Sequence, residues 1–98
     1  MVRRAENELD PRPVGQRLRL TREALRLTQR DFALGAEIQP TTYGQYETGA
    51  RLISPARAIE LCQTYQLTLD WIYMGELAGL PYRLAAAIKA LQELERQP

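Results

Sequence analysis

Histidine is absent from the 98-residue chain, and cysteine occurs once, at Cys62. The commonest general base and the commonest metal ligand are therefore missing. A lone cysteine cannot close an internal disulfide, and with no secretion signal it suggests a reducing cytoplasm. No apolar run approaches the ~18 residues that a membrane span needs. Residues 1–13 are polar and lack the apolar core of a signal peptide. No stretch sustains the period-2 alternation of a half-buried strand, and there is neither an internal repeat nor a low-complexity tract. A phosphate-cradling glycine loop, a cysteine pair and a metal-ligand cluster are all lacking, and the acidic residues are scattered. The chain is thus not expected to be an enzyme, and nothing in it calls for a metal or cofactor.

What is present is ordinary globular material: 45% apolar and 26% charged residues, in a length that suits one small domain. The net charge of +1 is unevenly spread. Residues 1–30 carry eight arginines against Glu6, Glu8, Asp10 and Glu23, a balance of +4. Residues 31–98 carry five basic against eight acidic side chains, a balance of −3. A basic front and a mildly acidic back suit a protein that faces an anion on one side.

Asp10-Pro11-Arg12-Pro13 carries no apolar period and reads as the end of a flexible arm over 1–13. From Val14 the pattern turns helical. Val14, Leu18 and Leu25 recur with Arg17, Arg19, Arg22 and Arg26 between them, which predicts a helix over about 14–26. Thr28 is a helix N-cap with Asp31 three residues on, ahead of a short helix near 29–36 bearing Phe32, Ala33 and Ala36. Pro40 suits a first helical position, and Gly49 a left-handed stop, so a second short helix spans about 40–47. Ser54-Pro55 repeats the start signal before Ala58, Ile59, Cys62 and Tyr65. Thr68 opens a brief helix containing Leu69, Trp71 and Ile72, closed by Gly75. Pro81 opens the last helix, whose stripe is Leu84, Ile88, Leu91 and Leu94. Six helices with short joints make an all-α chain.

The informative stretch is Leu27 to Gly49. Two short helices with a tight joint set the second into a major groove. Its groove face needs short polar side chains, and Gln39, Thr41, Thr42 and Gln45 supply them. Glutamine pairs bidentately with adenine, and threonine meets an acceptor or the thymine methyl.

This stretch resembles the helix-turn-helix of the Xre family, which includes the Cro and lambda-type phage repressors. The matching positions are Leu27-Thr28-Gln29, Phe32-Ala33, Ile38, Thr42, Tyr46-Glu47 and Gly49. Downstream, Leu67-Thr68-Leu69-Asp70-Trp71-Ile72 and Gly75 resemble the family's closing helix. The resemblance covers about 14–75. It implies a five-helix lambda-repressor-like domain that binds double-stranded operator DNA, commonly as a dimer; the C-terminal helix over 80–97 is extra to that domain.

Carried over by residue, the resemblance gives Gln29 a DNA contact from beside the recognition helix. It gives Gln39, Pro40, Thr41 and Gln45 base-facing positions, Thr42 a sugar-phosphate position, and Arg51 a place in a phosphate-meeting loop. Arg22 and Glu47 match a structural ion pair that links the first and third helices in some members. Three positions depart from the family. Glu37 stands where the turn usually has glycine, so it either adopts a left-handed conformation under strain or the turn differs. Pro40 lacks a side chain that many members use to read a base. Gly44 lies inside the recognition helix, at a cost of about 1 kcal/mol relative to alanine. That helix also has no lysine or arginine. Phosphate affinity must then come from the arginine-rich first helix, the arm or Arg51.

Plainer readings stand beside these. Gln29, Thr41 and Gln45 also fit ordinary exposed polar positions. Tyr43 suits packing between helices better than base reading, and Tyr46 and Trp71 suit the core. Cys62 fits a small apolar residue without reactivity. The stripe Leu84, Ile88, Leu91 and Leu94 lies beyond the five-helix core, and it either meets a partner chain as a dimer contact or folds back on its own domain. The leading functional expectation is a sequence-specific transcriptional regulator, a small repressor on a palindromic operator. The alternative is a protein-binding module on the same fold, such as an antitoxin or antirepressor.

Overall fold

Asp10 and Pro11 start the first helix earlier than the apolar period suggests. An Asp10 carboxylate oxygen accepts the backbone N–H of Arg12 at 3.0 Å, and Pro11 takes a first-turn position whose N–H would have no partner. In the computed structural model, which describes residues 9–97, helix α1 therefore runs Pro11–Ala24. Residues 11–13 of the expected arm are helical, and residues 1–8 lie outside the described residues. Then follow α2 (Gln29–Gly35), α3 (Pro40–Thr48), α4 (Pro55–Tyr65), α5 (Asp70–Met74) and α6 (Tyr82–Arg96). Among the described residues there is no strand, and no helix is long and apolar enough to cross a membrane.

The other helix starts follow the local signals. Thr28 Oγ1 accepts the N–H of Asp31 at 3.0 Å, and Ser54 Oγ accepts that of Arg57 at 3.3 Å. Thr68 Oγ1 accepts the N–H of Trp71 at 2.9 Å, ahead of the single wide turn of α5. The ends are less expected. Arg26, Glu37 and Gln66 adopt positive φ of 62°, 60° and 60°. Arg26 breaks α1 at this point, and the N–H of Leu27 returns to the carbonyl of Arg22 at 3.1 Å. Glu37 does the same for α2, with the Ile38 N–H on the Ala33 carbonyl at 2.9 Å. The turn thus keeps the left-handed geometry despite its non-glycine residue. Buried Ile38 anchors it.

The core gathers Leu18, Phe32, Ile38, Tyr43, Ile53, Leu61, Trp71, Ile72 and Ile88. Phe32 stacks on Tyr65 with ring centroids 4.5 Å apart and meets Tyr43 at 5.3 Å. Such aromatic pairs add roughly 0.5–1.5 kcal/mol beyond their burial. Trp71 and Tyr46 are core residues, as expected. Cys62 is half-buried, and burial pushes its thiol up, away from the reactive thiolate.

One buried polar group matters at the centre. Thr21 Oγ1 accepts the indole N–H of Trp71 at 2.8 Å and donates to the Arg17 carbonyl at 2.7 Å. Thr21→Val keeps the shape and strands the indole donor. It is expected to lower stability by about 1–3 kcal/mol in urea unfolding; a loss within 0.5 kcal/mol of zero, roughly that of a neutral surface change, would mean that the indole finds another acceptor.

The last helix folds back on its own domain, one of the two outcomes that its stripe left open. Its stripe does not wait for a partner chain: Ile88 is 0% and Leu84 8% exposed, both in the domain's own core. Leu91 packs against that core. Only Leu94, at 64%, stands out from it. The reason is that α6 folds back along α1. Glu95 accepts from Arg19 at 2.7 Å and from Gln16 at 3.1 Å, which pins the helix's far end.

Candidate nucleic-acid interface

Helix α3 is held by one side of α1. Residues 12, 15, 18 and 22 recur at helical spacing and share a face. A Cβ on Gly49 would come within 2.8 Å of Arg12 Cγ, so the glycine that ends α3 at φ 84° also admits the start of α1. A Cβ on Gly15 would collide with the Tyr46 carbonyl oxygen and lie 2.7 Å from that of Glu47. The two backbones touch at this point. Leu18 is buried beside Tyr43, whose hydroxyl oxygen lies 3.5 Å from the Leu18 carbonyl. Gly15 carried no sequence signal beyond being a glycine inside an arginine-rich helix.

At the far end of this seam Arg22 and Glu47 form the expected ion pair. Arg22 Nε donates to Glu47 Oε2 at 2.6 Å and Nη2 to Oε1 at 3.2 Å. Arg22 Nη1 also donates to the Leu27 carbonyl at 3.0 Å, which ties the α1–α2 joint to the pair. The Glu47 side chain is 3% exposed and that of Arg22 15%. Two further donors reach the carboxylate: the Tyr43 hydroxyl, and Gln29 Nε2 at 2.9 Å. Burial pushes the Glu47 carboxyl up, but the bonds from Arg22, Tyr43 and Gln29 together hold it below the usual range. Burial and the neighbouring Glu47 carboxylate drive the Tyr43 hydroxyl far above its usual range. Tyr43 is therefore a neutral donor inside the fold and not a base reader.

With Tyr43 and Tyr46 turned inward, the opposite side of α3 exposes Thr41, Gln45 and Thr48, at spacings of four and three. Gln39 is exposed just before the helix, where it gives no side-chain cap. Pro40 and Thr42 are half-buried. Gln29 is exposed and lies over α3, its Oε1 3.8 Å from where a Cβ of Gly44 would stand. Its amide is therefore shared between the surface and the Glu47 carboxylate. Arg51 arches back from the loop after α3. Its N–H donates to the Gln45 carbonyl at 3.2 Å, and its Nη1 to Gln45 Oε1 at 3.4 Å. Gln29, Gln39, Thr41, Gln45 and Arg51 thus gather on and around one helix face.

Of the four arginines of α1, Arg17 and Arg22 are committed inside the fold, while Arg12 and Arg19 sit in exposed ion pairs. Arg17 Nε and Nη2 donate to the carbonyls of Ile72 and Tyr73, each at 2.9 Å, stapling α1 to the end of α5. Arg19 serves Glu23 and Glu95, and Arg22 serves Glu47. Arg12 pairs with Asp10, whose carboxyl its guanidinium holds down to about 2. Arg30 on α2 and Arg51 beside α3 are exposed, with no carboxylate in ion-pair reach among the described residues.

A helix-turn-helix family model matches residues 18–72, more than half of the chain. The chain belongs to the helix-turn-helix family of the Xre, Cro and lambda-repressor type. The match runs from within α1 to α5, takes in the α2–turn–α3 unit whole, and leaves α6 outside. This helix-turn-helix protein is a DNA-binding regulator with the five-helix core and one added helix. Neither the curated proteins nor the solved structures gave a match to it.

Proposed function

We propose that the chain is a sequence-specific transcriptional regulator, a small cytoplasmic repressor that binds a palindromic operator as a dimer. The observation that carries this reading is the exposed face of α3. Thr41 and Gln45 stand one turn apart on it, on a helix whose other side is locked by the Gly15 contact and the Arg22–Glu47 pair. A rigid helix bearing short polar side chains suits direct reading of base edges in the major groove. Gln29, Gln39 and Pro40 border the bases on this reading, while Thr42 and Arg51 meet the backbone. A single module of this size contacts few phosphates, so pairing two copies on half-sites about one helical turn apart raises affinity. Bound protein then denies polymerase the site. Leu84 and Ile88 of the stripe on α6 are taken up by the core, so Leu94 is the stripe residue that this helix still offers a second copy.

Gln45→Ala is expected to weaken binding to the preferred duplex by ~1–3 kcal/mol while leaving non-specific binding unchanged. Titration of labelled duplexes reads both. Equal loss on every sequence would contradict base reading by Gln45. A stoichiometric protein partner with no DNA footprint would instead support the antitoxin or antirepressor reading.

A further inference from the structure

The reading face of α3 has one chemistry. Gln39, Thr41, Gln45 and Thr48 are exposed, and all are polar and uncharged. Between residues 38 and 50 the single charged side chain is Glu47, which turns inward to Arg22. Pro40 and Gly44 bring no polar side-chain group to this surface. In the major groove guanine offers two acceptors, O6 and N7, and its strong partner is an arginine or lysine with parallel donors. Adenine offers one acceptor and one donor, which calls for an amide that is both. Thymine offers a methyl group, which calls for an apolar contact such as the threonine methyl.

Gln45 adds a geometric restriction. Arg51 donates to its Oε1 at 3.4 Å, and the backbone bond from Arg51 to the Gln45 carbonyl, at 3.2 Å, keeps the loop in place over the helix. A carbonyl oxygen has two lone pairs. The guanidinium occupies one, which fixes the end of the amide that carries oxygen. The other remains for the N6–H of adenine, with Nε2 left to donate to N7.

Resting on the operator-binding reading above, we propose that α3 reads adenine–thymine pairs through Gln45 and Thr41, and that Arg51 is a positioning residue that sets the Gln45 amide. Arg51 then contributes to discrimination, and not only to phosphate affinity.

The test uses the full chain and the duplex that it enriches from a random pool. The duplex is remade with 7-deazaadenine or with uracil for thymine at the positions where Gln45→Ala and Thr41→Ala relax the preference, and separately with 7-deazaguanine at the guanines of the motif. The first two are expected to weaken binding by about 5- to 150-fold and by several-fold respectively, and 7-deazaguanine by less than about two-fold. Arg51→Ala should shrink the preference for adenine over guanine at the Gln45 position to the level of Gln45→Ala. Arg51→Lys should restore the salt dependence but not that preference, because a point charge lacks the planar fork. Thr41, Gln45 and Arg51 are all exposed, and unchanged thermal unfolding confirms that the variants fold. A symmetric motif with guanines at those positions, sensitive to 7-deazaguanine, would overturn the adenine–thymine readout and leave operator binding standing. A uniform loss on all duplexes in Arg51→Ala, rescued by lysine, would overturn the positioning role. No enriched motif at all would overturn both readings.

Discussion

Glu47→Gln is expected to lower the stability of the fold by about 3–5 kcal/mol, a fall in Tm of roughly 12–40 °C for a domain of this size. The substitution keeps the shape and removes the charge. Arg22 then remains nearly buried with only the more exposed Glu23 carboxylate, 3.9 Å away, as a counter-ion, and the Tyr43 hydroxyl and Gln29 amide lose a charged acceptor. The desolvation of Arg22, which the distant Glu23 and the Leu27 carbonyl offset only in part, makes the effect large. A surface pair such as Arg57–Glu60 is worth no more than about 1 kcal/mol, because water and salt screen it. Replacing the whole group by Arg22→Met, Tyr43→Phe and Glu47→Leu should recover most of the loss, since no buried charge is then left behind. Denaturant unfolding of the single and triple variants decides this. A loss below about 1 kcal/mol in Glu47→Gln would show that the pair behaves as a surface bridge.

The same group contributes to both the acid and the alkaline limb of stability. The folded carboxyl of Glu47 lies below its unfolded value, so its contribution is complete above about pH 4.3 and is lost as the pH falls through the folded value. Glu47→Gln should therefore flatten the acid limb of Tm against pH. The Tyr43 hydroxyl is raised in the fold, so its contribution is complete below about pH 10 and is lost as the pH climbs beyond. Tyr43→Phe should flatten the alkaline limb. Identical limbs in wild type and variants would exclude this linkage.

Gly15→Ala is expected to destabilise by roughly 2–4 kcal/mol, above the ordinary cost of overpacking because backbone, not a flexible side chain, stands in the way. The added methyl meets the carbonyl oxygens of Tyr46 and Glu47, and neither can move without shifting α3. Intrinsic propensity works in the opposite direction, favouring alanine by about 1 kcal/mol inside a helix. Gly44→Ala isolates that preference. Its Cβ would make only an ordinary contact with Gln29 Oε1 at 3.8 Å. It should stabilise by about 0.5–1 kcal/mol. Two Gly→Ala changes of opposite sign, on the two helices of one seam, would be a compact test by thermal unfolding. Stabilisation by both would show that α1 and α3 do not touch where the contact lies.

The helix starts were legible because each depends on residues within one turn: Thr28, Ser54, Pro40 and Pro55 act locally. The start of α1 was missed for a related reason. Asp10 and Pro11 cap it without joining the apolar period that begins at Val14. The ends at Arg26, Glu37 and Gln66 lack the glycine that would mark them. The stripe on α6 showed that something covers Leu84 and Ile88. It could not show that the cover is their own domain, since amphipathicity names a face and not its partner. The exposed face of α3 was readable from the spacing of the turn. The partners of Arg17 and Arg19, the Gln29 bond to Glu47, and the close approach at Gly15 all join residues distant in sequence, and only the packed fold brings them together.

Reading of base sequence by α3 is the central claim, and a binding selection of random duplex DNA against the purified full chain at several salt concentrations tests it most directly. The expected result is a two-fold symmetric motif, with half-sites about one helical turn apart and a preference that survives as added salt lowers the overall affinity. Weak, salt-sensitive binding with no enriched sequence would contradict it.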